Sequence, residues 1–138
     1  METKFNFNSQ VCTDRFQSER LITLGLKKET ADMYWILNGY IDDYIARPKE
    51  RYTFTDIPHI PAWSLHRLIE MMPKVIKLCY PNLHFTMLHD SVHYCDFDYD
   101  EEFEQVFSAK NNIYENIIDC YEWLIKNWYF DEALLNKE

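Results

Sequence analysis

The chain has 138 residues, 47% of them apolar, with 4 Trp, 10 Tyr and 9 Phe. That is enough to fill one core and too apolar for a disordered or low-complexity chain. Its only two glycines, Gly25 and Gly39, exclude glycine-rich phosphate loops, which need several close together.

The net charge of −9 is placed unevenly. Residues 1–89 carry 10 acids against 11 bases, and residues 105–138 carry 6 against 3. Residues 90–104 hold Asp90, Asp96, Asp98, Asp100, Glu101, Glu102 and Glu104 with no base. Such a balance repels phosphate backbones and anionic lipid, so neither direct nucleic-acid binding nor a membrane is expected. The apolar runs fall well short of the roughly 20 residues that span a bilayer. Met1 to Gln10 shows no apolar run and no small-residue cleavage site, so no signal peptide is expected. Cys12, Cys79, Cys95 and Cys120 form no C-x-x-C pair. Reduced thiols in a cytoplasmic protein are the expectation.

The first predicted element is a helix near 18–25, with Ser18 as N-cap and Leu21, Ile22 and Leu24 on its buried face. Gly25 ends it, supplying the left-handed position that side chains resist. Residues 31–46 fit two patterns. Met33, Leu37, Ile41, Tyr44 and Ile45 make a helical stripe. Asn38-Gly39 between two β-branched and aromatic runs is instead a hairpin signal, and a glycine inside a helix costs about 1 kcal/mol. The hairpin, pairing 33–37 with 40–45, is the preferred reading.

Pro61 fits the first turn of a helix over 61–72, with Leu65, Leu68, Ile69 and Met72 at helical spacing and Pro73 after it. Leu83–Leu88 and Val92–Tyr99 then flank His89-Asp90-Ser91 as a second hairpin. In its second strand Cys95, Phe97 and Tyr99 alternate with Asp96, Asp98 and Asp100, predicting a buried and a solvated face. The last long helix spans 112–128. Asn112 caps it, Glu115 follows three residues later, and Ile113, Ile117, Cys120, Tyr121, Leu124 and Trp128 form its apolar stripe. A final turn over Asp131–Leu135 is placed to dock Leu134 and Leu135 on the core.

Chemistry-bearing patterns are few. Asp96-x-Asp98-x-Asp100 starts like a calcium loop, but Glu101 stands where that loop needs Gly and Phe107 where it needs Glu. His84, His89, His93 and Cys95 lack the spacing of a structural zinc site, so no metal and no cofactor are expected. There is no G-x-S-x-G and no H-E-x-x-H, so no catalytic residue is assigned. Trp63 and Trp123 are the tryptophans placed for a contact surface.

The blocks Ser18-Glu19-Arg20-Leu21, Leu24-Gly25-Leu26 and Thr30-Ala31-Asp32-Met33 carry a resemblance. So do Ile60-Pro61-Ala62-Trp63-Ser64-Leu65 with Pro73, and the run Ile117 to Ile125. Together they resemble a group of small uncharacterised proteins carried by phages and mobile elements of gut anaerobes. The resemblance implies a setting, and no activity or site residues.

The expected fold is α+β in a single domain over 1–138: an antiparallel sheet of about four strands with three helices on one face. The expected function is that of a non-enzymatic accessory protein working through contacts with another protein. Its expected binding surface is Asp96, Asp98, Asp100, Glu101, Glu102 and Glu104. Two rivals are an acidic decoy that imitates a phosphate array and occupies a DNA-binding protein, and a small hydrolase.

Overall fold

The computed structural model describes residues 9–38, 43–48, 59–77, 82–88, 91–95, 105–108 and 112–136. Helix α1 (Arg15–Thr23) opens the fold, and strands β1 (Met33–Asn38), β2 (Asp43–Pro48) and β3 (His59–Ala62) follow. Helix α2 (Leu65–Met71) leads to β4 (Val75–Lys77), β5 (Asn82–Leu88), β6 (Ser91–Cys95) and β7 (Gln105–Ser108), and then to helix α3 (Ile113–Lys126). The protein is α+β, and its described strands form two antiparallel sheets, in the orders β2-β1-β3 and β4-β5-β6-β7. The expectation of a single antiparallel sheet of about four strands gives way to that pair. The return of β3 to the free side of β1 is the cause. With β2 on the other side, it fills both edges of β1 in a sheet that local patterning cannot announce.

Pro61 belongs to that returning strand, paired with Tyr34, and not to a helix. An outer strand tolerates proline because only one of its sides must supply ladder bonds. The helix begins at Leu65 instead, capped by Ser64, whose Oγ accepts the Arg67 N–H at 3.1 Å. Asp32 holds this cap in place: Ser64 N–H and Ser64 Oγ–H both donate to its carboxylate.

The first helix likewise starts earlier than its pattern suggested. Asp14 is the N-cap: its Oδ1 accepts Gln17 N–H at 2.7 Å, and Gln17 Oε1 accepts Asp14 N–H at 2.9 Å. Reciprocal capping of this kind is worth about 1 kcal/mol. Ser18 lies inside the helix, buried, with its Oγ 2.8 Å from Thr13 Oγ1.

Both predicted hairpins are present, in shifted registers. Asn38 pairs with Asp43, so the Asn-Gly step does not close the first one; the connection is 39–42, outside the described residues. In the second hairpin Leu88 pairs with Ser91, which makes Ser91 a strand residue. Val92 and Tyr94 face the core, while Cys95 is only half-buried, so the buried face of β6 is the even-numbered one.

The core is built by the helices and the four-stranded sheet. Leu21 and Leu26, Leu68 and Met71, Ile76, Leu83, Val92 and Tyr94 meet Ile117, Cys120, Tyr121 and Leu124 of α3. Asn112 caps α3 as expected, accepting Tyr114 N–H at 2.8 Å. Leu134 and Leu135 pack against this core, and Lys27 N–H donates to the Leu134 carbonyl at 3.0 Å. Arg20 ties α1 to α3, donating at 2.8 Å to both Asp119 and Glu122, with Glu115 at 3.6 Å.

Two helices end with the same bond pattern and different residues. After α1, Gly25 N–H reaches the Ile22 carbonyl and Leu26 N–H the Leu21 carbonyl, with Gly25 at φ +105°. After α3, Trp128 N–H reaches Ile125 and Tyr129 N–H reaches Leu124, with Trp128 at φ 63°. Glycine or asparagine suits that left-handed position, and other residues are strained there. Nothing crowds a Cβ at Gly25, so Gly25→Ala tests conformation alone. It should destabilise by about 1 kcal/mol, while Trp128→Asn should stabilise by roughly 0.5 kcal/mol, both read as shifts in urea midpoint.

The Arg20 network gives a second expectation. Hydrogen bonds from Lys126 and then Arg20 lower the Glu122 carboxyl below its usual range. A lowered folded value stabilises at pH above the usual glutamate range and is lost as pH falls through it. The groups are about one-third exposed, so Arg20→Met should cost only about 0.5–1 kcal/mol at neutral pH. The loss should shrink in urea titrations carried to low pH or into high salt.

Candidate functional site

The acidic residues singled out by sequence, Asp96, Asp98, Asp100, Glu101, Glu102 and Glu104, lie outside the described residues. The surface the structure does describe is a groove of about 410 Å³ between α1 and the outer strand β3. Helical spacing puts Arg15, Phe16, Glu19 and Ile22 on its α1 side. Consecutive residues His59, Ile60 and Pro61 of β3 form the opposite wall, and Lys28 lies at its border.

Phe16 gives the groove its character. It is 80% exposed although it stands in the first turn of a well-capped helix. Gln17, Ser18 and Leu21 occupy the buried side of α1, which turns Phe16 outward. Sequence reading missed it because the helix was started at Ser18. Starting at Asp14, with Gln17 three residues on, would have put Phe16 on the solvent side.

A second recess of about 520 Å³ lies beside the start of α2. Arg67 Nε–H donates to the Thr30 carbonyl at 2.8 Å, and the Arg67 guanidinium also pairs with Glu70. Ser64 spends its hydroxyl on Asp32 and on the Arg67 amide. His66 is 89% exposed and lies 3.8 Å from Glu70, and the described side-chain partners of Ser64 are Asp32 and the Arg67 amide. A Ser–His contact does occur on β6, where Ser91 Oγ and His93 Nε2 are 2.5 Å apart. Neither cavity includes that pair.

Three of the suggested zinc residues share a face of the second sheet. His84 stands opposite Cys95 and Thr86 opposite His93, which puts all four on one face of the sheet. His89 lies outside the described residues, and no group of three or more ligating side chains converges among those described. Cys95 Sγ instead lies 3.6 Å from Thr86 Oγ1.

Among the tryptophans, Trp63 is fully buried and its Nε1–H donates to Thr30 Oγ1 at 2.9 Å. Trp123 is half-buried between Tyr94 and Tyr129, with ring centroids 6.0 and 5.4 Å away. The exposed one is Trp128, at 82%, which the helical stripe had assigned to the core. The helix stops two residues before it, so its direction no longer follows the stripe.

The described residues thus define an α+β protein with an apolar groove beside a sheet edge. No family model, curated protein or solved structure matches the chain. No described helix is long and apolar enough to cross a membrane.

The described cysteines are unpaired: Cys12 and Cys120 are buried and Cys95 is half-buried, while Cys79 lies outside the described residues. Burial, then the Asp32 and Asp14 carboxylates, push the Cys12 thiol up to about 12, and burial also raises Cys120. Thiolate is the reacting form, so both should resist a disulfide reagent until the protein unfolds. Timed labelling with peptide mapping should find Cys95 modified well before Cys12 and Cys120.

Proposed function

We propose that this chain is a non-enzymatic protein-contact module that works through the α1–β3 groove, in the phage and mobile-element setting its resemblance implies. The observation that carries this reading is Phe16, 80% exposed at the lip of a groove that also holds Ile22, Ile60 and Pro61. Aromatic side chains beside an apolar pocket are the usual anchors of protein contacts, because they bury much area for little rotamer entropy. The partner is a protein, and the chain acts in the cytoplasm. The Ser64 and Ser91 surroundings favour no hydrolytic mechanism: one hydroxyl serves a helix cap, and the other sits at neither cavity.

A second reading rests on charge. Seven acids without a base in residues 90–104 suit an acidic decoy for a DNA-binding protein. One capture experiment separates the two, using the tagged wild type, Phe16→Asp, Trp128→Asp and the triple change of Asp96, Asp98 and Asp100 to Asn. Groove binding requires capture to fall at least about tenfold with Phe16→Asp alone, because a central anchor is worth roughly 2 kcal/mol. Loss confined to the triple variant, with steep salt dependence, transfers the function to the acidic segment.

A further inference from the structure

The α1–β3 groove carries on one patch what a contact usually divides between two partners. Phe16 projects from α1, 80% exposed, and the recess it borders holds Ile22, Ile60 and Pro61. Two opposite charges lie on the same patch. Glu19 stands one turn beyond Phe16 on the same side of α1, and Lys28 lies at the groove's border. Both are exposed, and among the described residues neither takes part in an ion pair.

The backbone beside the groove leaves little for an added strand. Pro61 is buried and has no N–H to offer. At Trp63 the amide and the carbonyl are already bonded to Thr13, at 3.1 and 2.8 Å. An occupant is therefore held by side chains. Symmetry selects among such occupants. In a two-fold contact the same patch serves both copies, so each feature needs its counterpart on the same surface. A projecting ring beside an apolar recess meets that condition, and so does a lysine near a glutamate. A partner of another kind would have to bring both counterparts itself.

Size and charge set the strength. Two phenylalanine rings bury roughly 300 Å² between them, against about 1,200–2,000 Å² for a stable interface. Ring insertion therefore anchors a weak, reversible dimer and not an obligate one. The net charge of −9 on each copy opposes approach at long range. At physiological ionic strength, exposed charges more than about 8 Å apart are largely screened, which leaves the local Lys–Glu match to act.

We infer that the groove takes a second copy of this chain. About a two-fold axis, Phe16 of each copy enters the α1–β3 recess of the other, and Lys28 of each pairs with the other's Glu19. The inference rests on the groove reading above and gives its partner an identity.

Sedimentation of the purified full chain from about 2 to about 200 μM, in about 0.15 M salt, tests it. The average mass should rise from one chain toward two across that range. Phe16→Asp should weaken association at least about tenfold. Lys28→Glu and Glu19→Lys should each weaken it several-fold, because each sets two like pairs across the axis. Mixed in equal amounts, these two charge variants should associate like the wild type, since both pairs are then opposite again; a damaged fold would not be restored by mixing. All three residues are exposed, and thermal melts should show the variants folded like the wild type. A wild type that stays monomeric to about 200 μM overturns the inference. So does a dimer that Phe16→Asp leaves intact, and so do charge variants that associate like the wild type alone or stay weak when mixed. If the wild type is monomeric while Phe16→Asp abolishes capture of another protein, the contact-module reading stands and only the self-contact fails. If Phe16→Asp changes neither association nor capture, both fail.

Discussion

Thr13 and Trp63 anchor the first sheet and the helix starts beside it on each other. Thr13 offers three polar groups; Trp63 takes two of them and Trp35 the third. Its N–H reaches the Trp63 carbonyl, its Oγ1 accepts the Trp63 N–H, and its carbonyl accepts Trp35 Nε1–H at 2.8 Å. The hydroxyl also lies beside Ser18 in α1. Thr13 and Trp63 are fully buried, so an amide left without a partner there would cost about 1–3 kcal/mol. The first sheet, the start of α1 and the junction between β3 and α2 therefore share one small polar centre. Trp63 then extends it inward by donating to Thr30 Oγ1.

The interior uses its polar groups in the same way throughout. Tyr94 OH donates to the Pro73 carbonyl at 2.6 Å and so pins β6 to the turn after α2. Tyr121 OH donates to the Leu68 carbonyl and pins α3 to α2. Burial raises the pKa of both phenols, which keeps them protonated and donating. Each tyrosine spends its one donor on a helix-end or turn carbonyl that would otherwise be unsatisfied. Tyr94 and Tyr121 are therefore structural: their rings fill the core, and their hydroxyls bond backbone carbonyls.

Local signals made much of this legible, and long-range ones did not. Helix ends were readable at Gly25, which φ +105° requires, and at Asn112, which accepts two amides. Both hairpins could be read because each joins chain neighbours. The return of β3 to β1 joins residues 33–36 to 59–62, and no pattern within either segment specifies the other. Missing that pairing turned Pro61 into a helix start, because proline suits both a first turn and an outer strand. The groove was lost with it, since half of the groove is β3. Phe16 was missed for a smaller reason: Ser18 and Asp14 are both good caps, and only the reciprocal bond with Gln17 decides between them.

What remains on the surface is informative because the interior is so fully committed. Buried Cys12 and Cys120 have raised thiol values and lack nucleophilic character. Ser64 is fixed by Asp32. On α3, Asp119 and Glu122 are drawn onto Arg20, and Lys126 takes a further oxygen of Glu122. Groups that elsewhere do chemistry are here spent on caps, docking and packing. Phe16 and Trp128 are the two most exposed large apolar side chains among the described residues. They differ in kind. Trp128 occupies a left-handed helix terminus with its ring in solvent, and its chain direction is set by the helix end itself. Phe16 sits on an ordinary helical turn, and Ile60 and Pro61 of β3 lie across the groove from it. Exposure of an aromatic ring is common on protein surfaces. Exposure beside an apolar wall and a sheet edge is the arrangement that a bound partner would convert into buried area.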